Sequence, residues 1–383
     1  MPSTALISPV PTVALWCRVS TWNIVYLVAM QVVLFTFLTM YFTPLLTLIP
    51  DLGATPDERL TLTVWTSVFW AIGLVVSAMT FFVGPLLYPW MPDTDIGRMR
   101  AWQVAIAAFC LLGFLAMLVP VLVVNEPKWT RNEATSIPFF KAMKTCLSNR
   151  YYRNVIASDF FTFCATSILQ TGVLYYVTVL VELPEYISTV LILVLVVISI
   201  FMYPCVAVVA KKVNGGKGLL LAAFAIESVV FLFVSVMGLS KAAAYVQIIV
   251  PIVVFTVPYS ILTTMFAWAT ADIAEHHCLL TGEAVAGMFF ATRTFFQKLA
   301  STVAVIVFAL LLQLGRDVGD DLGVRMSGVV GALLAVGAAV MMYFYDEKKM
   351  SMELKDMLKE KQDAIQMSSV ETGDASDQSN AAC

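Results

Sequence analysis

Three ionisable side chains lie deep inside long apolar stretches of this sequence. Lys298 is almost midway along the apolar run 285–314, Arg293 comes five residues before it, and Glu227 is near the middle of the run 218–239. A charged side chain at membrane depth is costly and by default indicates a function. Because a buried ammonium must face a watered cavity or a carboxylate, we predict that Lys298 lines a substrate or ion pathway. The alternative is a structural ion pair that joins two helices.

The sequence does not identify a partner for Glu227 or for Arg293. Glu227 is interpreted as the only carboxylate so deep in the chain, and it is a candidate to pair with Lys298 or to bind a proton. Arg293 lies about 7.5 Å along the helix axis from Lys298. An arginine at that depth can reach the interface with its long side chain or join a gate. For both residues a structural role stays open beside a place in the pathway.

The elements that must hold these charges are membrane-spanning helices. The chain has 383 residues, of which 60% are hydrophobic and 13% charged, whereas a soluble domain is about half apolar and about a quarter charged. Runs of about 18 or more apolar residues predict crossings, and they are too long for the strands of a membrane barrel. The predicted fold class is therefore all-α, a polytopic helical membrane protein. The nine runs are 23–49, 64–88, 101–124, 155–181, 187–210, 218–239, 244–271, 285–314 and 324–345.

The distribution of Lys and Arg predicts the orientation, because basic loops stay in the cytoplasm. With the C-terminus inside, only six of the 23 basic residues fall outside, and Arg293 and Lys298 lie within a helix. An odd number of crossings then places the N-terminus outside, although no basic signal segment precedes the first run. We therefore expect that the sequence begins in the middle of a larger protein. The six outside residues are Arg18, Arg98, Arg100, Lys241, Arg316 and Arg325.

Polar segments divide the chain into two unequal halves. A polar stretch with two prolines and six basic residues follows the third run and is typical of a cytoplasmic linker. The predicted parts are an N-terminal segment (1–22), a three-helix partial bundle (23–124), the linker (125–154), a six-helix bundle (155–345), a cytoplasmic amphipathic helix (346–367) and a disordered tail (368–383).

Four stretches of sequence resemble one transporter family. They are the runs 43–62 and 139–161, the turn KKVNGGKG (211–218) and the block 271–298, in which Ala-Asp, Thr-Gly and Gln-Lys follow the family's spacing. They resemble the glycoside–pentoside–hexuronide:cation symporters, the melibiose-permease-like branch of the major facilitator superfamily, which includes lysophospholipid carriers of animals. The resemblance implies twelve helices in two halves. The nine runs would then be helices four to twelve, so three helices are expected to be missing.

The resemblance also implies roles for particular residues. It places Lys298 beside the substrate and the coupling ion. It makes Asp272 and Glu275 an inter-helix gate on the cytoplasmic side, with the alternative that they are two solvated acids at a helix end. Glu58 and Arg59 resemble a cytoplasmic loop latch of the same gate rather than a binding site.

The pathway lining departs from that of the sugar carriers. Phe42 and Ser67 stand where the resemblance implies a sugar-binding acid and arginine. A polar site without these groups loses discrimination, so the substrate is expected to be sugar-like or more amphipathic. Thr39 and Thr43 are predicted to line the pathway. Tyr176 either lines it too or belongs to the aromatic belt at the membrane interface.

The sequence lacks the motifs of several other functions. The net charge of −3 gives no basic face for nucleic acid, and no phosphate loop or enzyme motif is present. His276, His277 and Cys278 are interpreted as a wet loop rather than a metal site, since zinc needs more ligands. No metal or cofactor is expected beyond a coupling cation, Na⁺ or H⁺.

Two functions stay open. The first is a cation-coupled secondary transporter of a small organic solute, an integral multi-pass protein of the lipid bilayer. Such a carrier would work by alternating access, with no enzyme activity. The second is a truncated, non-transporting membrane protein or assembly partner derived from such a carrier. The sequence leaves the substrate, the membrane and the oligomeric state open.

Overall fold

The computed structural model describes residues 21–52, 55–90, 94–123, 139–184, 186–213, 216–238, 244–282 and 286–359. The expectations for 1–20, for most of the linker and for the tail lie outside these residues. Within them the regular structure is entirely helical, with no strand. The α-helices are α1 (Thr21–Leu52), α2 (Pro56–Ala78), α3 (Thr80–Leu86), α4 (Asp95–Val123), α5 (Phe139–Ser148), α6 (Arg150–Tyr175), α7 (Tyr186–Val213), α8 (Lys217–Val236), α9 (Ala244–Thr281), α10 (Ala286–Leu311), α11 (Leu322–Tyr343) and α12 (347–359).

Nine of these helices are long and apolar enough to cross a membrane, counting only residues that the structure describes. They are α1, α2, α4 and α6 to α11, which confirms the polytopic all-α prediction. The boundaries differ where polar caps extend the helices. Asn149 accepts hydrogen bonds from the backbone N–H groups of Tyr151 and Tyr152, so α6 begins at Arg150, before the apolar run that starts at 155.

The first bundle consists of α1 to α4. The predicted second crossing breaks at Met79 and continues as the short helix α3, which packs on α4. Trp102 of α4 donates from its indole N–H to the Tyr88 hydroxyl, and its ring covers Gly84 of α3. Tyr41 of α1 donates to the Met117 carbonyl of α4 at 2.8 Å. These contacts leave α1 and α2 to meet the second bundle.

The second bundle, α6 to α11, contains most of the buried core. Helix α11 packs closely on α8 and α6, because small residues form its buried face. A Cβ atom added to Gly331 would overlap the ring of Phe231 on α8. Between the bundles, α2 packs on α7 and α9, and α1 packs on α10. Any group on these three pairs of facing surfaces can therefore link the two bundles.

Helix α12 covers one end of the second bundle. Met350 and Leu354 are buried against the core, as the predicted apolar face requires. The Glu353 carboxylate accepts from the Tyr151 hydroxyl at 3.1 Å and lies 3.2 Å from the His276 Nε2 atom. We call this end of the molecule the basic side, because most of the described Lys and Arg residues of the helix ends lie there, and the opposite end the far side.

Candidate functional site

A cluster of three charges joins the two bundles at the basic side. Arg59 lies in the first turn of α2, which begins at Pro56. Thr55 and Glu58 form a capping box, in which each side chain accepts from the other residue's backbone N–H. This reciprocal cap fixes the start of the helix. It therefore determines the direction in which Arg59 points, while Glu58 itself is exposed.

Arg59 points across the bundle interface to two acids on α9. Its Nη1 atom lies 3.3 Å from Oδ1 of Asp272, and its Nη2 atom lies 3.5 Å from Oε1 of Glu275. The exposed fractions of the three side chains are 0%, 8% and 10%. The acids are three residues apart, so they lie on one face of α9. They are not solvated acids at a helix end, because α9 continues to Thr281 and α2 covers them.

Lys298 makes a second polar contact between the bundles. Its ammonium donates a hydrogen bond to the Thr39 hydroxyl on α1 and lies 5.8 Å from the centre of the Phe35 ring. Lys298 is exposed in the part of the protein that the structure describes. Thr43 also lies on α1, but its side chain is outside the described part.

Arg293 belongs to a buried pair that the sequence interpretation missed. Its Nε atom donates to Oδ2 of Asp159 on α6 at 2.9 Å, and Gln297 donates to the same oxygen at 3.0 Å. Asp159 is 2% exposed. The prediction that Glu227 is the only deep carboxylate was therefore wrong. An acid nine residues inside the span that begins at Arg150 was a visible signal of this pair.

Glu227 and Tyr176 do not lie at the contacts between the bundles. Glu227 is fully buried within the second bundle, and neither carboxyl oxygen has a hydrogen-bond partner among the described residues, Lys298 included. Tyr176 is 1% exposed, and its hydroxyl shares a 2.8 Å hydrogen bond with Ser327 of α11. Its ring packs on Gly172. In this conformation Tyr176 joins α6 to α11 rather than lining an open path.

The interpretation of His276, His277 and Cys278 as a wet loop was wrong. All three lie on α9 and are buried, because α9 runs ten residues beyond the predicted end of its apolar run. His276 faces Glu353 of α12. Across the described ranges, no group of three or more potential ligands could hold a metal ion.

A comparison with protein families adds independent evidence. The family model described as MFS/sugar transport protein matches residues 5–346. The chain belongs to this family. No curated protein matches the sequence.

Membership in this family indicates what the spanning helices are for. The protein is an integral multi-pass membrane protein of a transporter family and not of an enzyme family. The two contacts between its bundles, one at the basic side and one at Lys298, are then the candidate functional site. The reading as a non-transporting remnant is not favoured.

Proposed function

We propose that this protein is a cation-coupled symporter that carries a small organic solute by alternating access. The observation that supports it is the ion cluster of Arg59, Asp272 and Glu275, which joins the two bundles at the basic side. Transporters of this kind work by rocking one bundle against the other around a site near the membrane midplane. A charged contact between the bundles at one end is the element that such a motion must break.

The ion cluster of Arg59, Asp272 and Glu275, which we call the gate cluster, keeps the basic side closed. Two acidic side chains surround one guanidinium in this cluster. The cluster forms only while α2 lies against α9, because Arg59 is on α2 and both acids are on α9. Removing the guanidinium while the acids stay buried is strongly unfavourable. When α2 moves away from α9, water replaces the guanidinium at the acids. Opening therefore exposes Asp272 and Glu275 to the basic side, which we place in the cytoplasm.

The pathway runs past Lys298 between α1 and α10. There the ammonium and the Thr39 hydroxyl offer polar contacts, while Phe35 offers an apolar surface. Nearby on the first bundle, the Phe42 and Trp70 rings pack edge to face at 5.5 Å. A polar group next to aromatic surface suits a solute with a hydrogen-bonding head and an apolar body. Sugar-like or amphipathic solutes of the melibiose-permease-like carriers fit this description.

Cation coupling is part of the proposal because the resemblance to the melibiose-permease-like carriers implies it. The proposed coupling ion is Na⁺ or H⁺. Lys298 would compete with such a cation for a carboxylate that enters the pathway. Among the described residues its ammonium donates to Thr39.

The test is uptake by the purified chain in lipid vesicles that carry an imposed Na⁺ or H⁺ gradient. Candidate sugars and lysolipids are the probes. Lys298→Ala is expected to abolish gradient-driven uptake without changing the amount of folded protein. Lys349→Ala, which removes an exposed lysine of α12, is the matched control and should transport normally. Normal uptake by Lys298→Ala would refute its role, and wild-type binding without uptake would favour the non-transporting alternative.

A further inference from the structure

The carboxyl group of Glu227 is buried without a partner in the middle of α8. Its exposed fraction is 0%, and both oxygens lack hydrogen-bond partners within the described ranges. The other acids buried in described spanning helices all face a cation, Asp159 on Arg293 and the two gate acids on Arg59. Since an unpaired charge in an apolar interior costs so much that the group neutralises instead, burial without a partner favours the neutral form of Glu227.

Apolar rings close off Glu227 on the side of α9. Phe224 and Phe231 lie three residues before and four residues after it, so they share its face of α8. Their rings meet Phe266 and Phe255 of α9, with centroid distances of 6.2 and 6.4 Å. Glu227 therefore lies between two layers of aromatic side chains. Both of its carboxyl oxygens are buried.

Small apolar residues face Glu227 on the side of α11. Helices α8 and α11 are antiparallel and in close contact, since Gly328 lies against Ser235 and Gly331 lies against Phe231. One further turn along both helices brings Glu227 level with Ala335, which is fully buried. This surface has no polar side chain to offer.

Charged groups on the same helices are far from this level. Between Phe255 and Phe266, the titratable side chain of α9 is Tyr259, a neutral phenol packed beside Phe255 at 6.1 Å. Asp272 lies six residues beyond Phe266, about 9 Å further toward the basic side. The titratable groups of α8, α9 and α11 are Lys217, Glu227, Tyr245, Tyr259, Asp272, Glu275, His276, His277, Cys278, Arg325 and Tyr343.

Helix α8 cannot carry the carboxyl group out to water, because both of its ends are held. At the basic side the Glu347 carboxylate accepts from the backbone N–H groups of Gly216 and Lys217. At the far side Arg325 donates to the carbonyls of Ser235 and Met237, at 3.2 and 2.7 Å. These contacts hold α8 at both ends. Reaching water would require them, and the contact with α11, to break.

We propose that Glu227 is a proton-binding site, which holds its proton while α8 is packed against α9 and α11 and releases it to water when that packing loosens. The site lies apart from the gate and from Lys298, so it goes beyond the transport function proposed above. It makes the packing of the second bundle depend on protonation. Alkaline conditions favour the loosened arrangement, because only there can the carboxylate be hydrated.

Infrared difference spectroscopy of the full chain in lipid vesicles tests the protonation state without any substrate. The spectrum of each variant is subtracted from that of the wild type, so that the ester C=O stretch of the lipid cancels. Exposed Asp and Glu residues have pKa values near 4, so near neutral pH they lack the C=O stretch of a protonated acid. We expect the wild type to show this band and Glu227→Gln to lose it. Asp356→Asn, which removes an exposed acid of α12, is the control and should leave the acid band unchanged. Loss of ionised-carboxylate intensity in Glu227→Gln, with no change in the acid band, would overturn the proposal.

Thermal unfolding in the same vesicles provides a second, independent measurement. Glu227→Gln and Glu227→Leu both mimic the neutral acid. We expect wild-type unfolding temperatures near neutral pH for at least one of them, and a fall at alkaline pH in the wild type that neither variant shows. An identical alkaline fall in all three proteins would contradict the proposal. Because neither readout involves uptake, a failure here is distinguishable from a failure of the proposed transport function.

Discussion

Removal of the Arg59 guanidinium is the perturbation with the most direct consequence for alternating access. Arg59→Ala leaves Asp272 and Glu275 buried without their cation. Breaking a buried ion pair in this way costs about 3–5 kcal/mol. The three side chains are at most 10% exposed, so solvent screening is small. Relaxation of the surroundings and entry of water favour the lower value, about 3 kcal/mol.

This loss applies only to the state in which the basic side is closed, because opening hydrates the acids. With about 1.4 kcal/mol for each factor of ten, the ratio of closed to open molecules is expected to fall ~100-fold. The assay is the rate at which a maleimide labels Cys278, in a variant whose other cysteines are serine. Cys278 is buried on α9 and lies three residues after Glu275. It should be labelled up to ~100-fold faster in Arg59→Ala.

Two further variants separate gating from general loosening. Arg325→Ala removes an arginine on the far side that pairs with Asp321, four residues earlier in the chain. This change should leave the labelling of Cys278 unchanged. Removing Asp272 and Glu275 together with Arg59 leaves no unpaired charge, so labelling should return toward the wild-type rate. Unchanged labelling in Arg59→Ala, or equal labelling in the single and triple variants, would refute the reasoning.

Two predictions concern the packing of the second bundle, and thermal unfolding in detergent measures both. Gly331→Ala places a methyl group against the Phe231 ring and should cost about 1–3 kcal/mol, whereas Gly337→Ala meets only ordinary contacts at 3.7 Å and should be nearly neutral; equal effects would contradict the close packing. Asp159→Asn leaves Arg293 buried without an anion and should cost about 3 kcal/mol. Adding Arg293→Met should recover most of this loss, and no recovery would show that the pair acts in another way.

The crossings were predictable from the sequence because they depend on a local property. About 20 apolar residues in a row are needed to span the hydrocarbon core, whichever helices lie beside them. The ends of helices were less predictable. Residues 272–281 read as the wet end of a crossing, yet α9 continues through them, because α2 and α12 cover its polar side chains.

The charged residues also divide into a part that the sequence predicts and a part that depends on tertiary contacts. Lys298, Arg293 and Glu227 stood out because of their depth alone, but depth does not reveal a partner. Asp159 lies close to a polar segment, so its burial depends on Arg293 and Gln297 of a helix more than 130 residues away. The pairing of Glu227 with Lys298, which was open in the sequence, is absent from the described contacts.

The sequence by itself determined the class of protein, the number of described crossings and the residues whose charge is costly at membrane depth, since each depends on composition along a short stretch. Only the tertiary structure decided how those charges are balanced. It pairs Arg59 with two acids and Arg293 with Asp159, and it leaves Glu227 without a partner among the described residues. The reason is that the energy of a buried charge depends on its neighbours in space, and these are set by helix packing rather than by position in the chain.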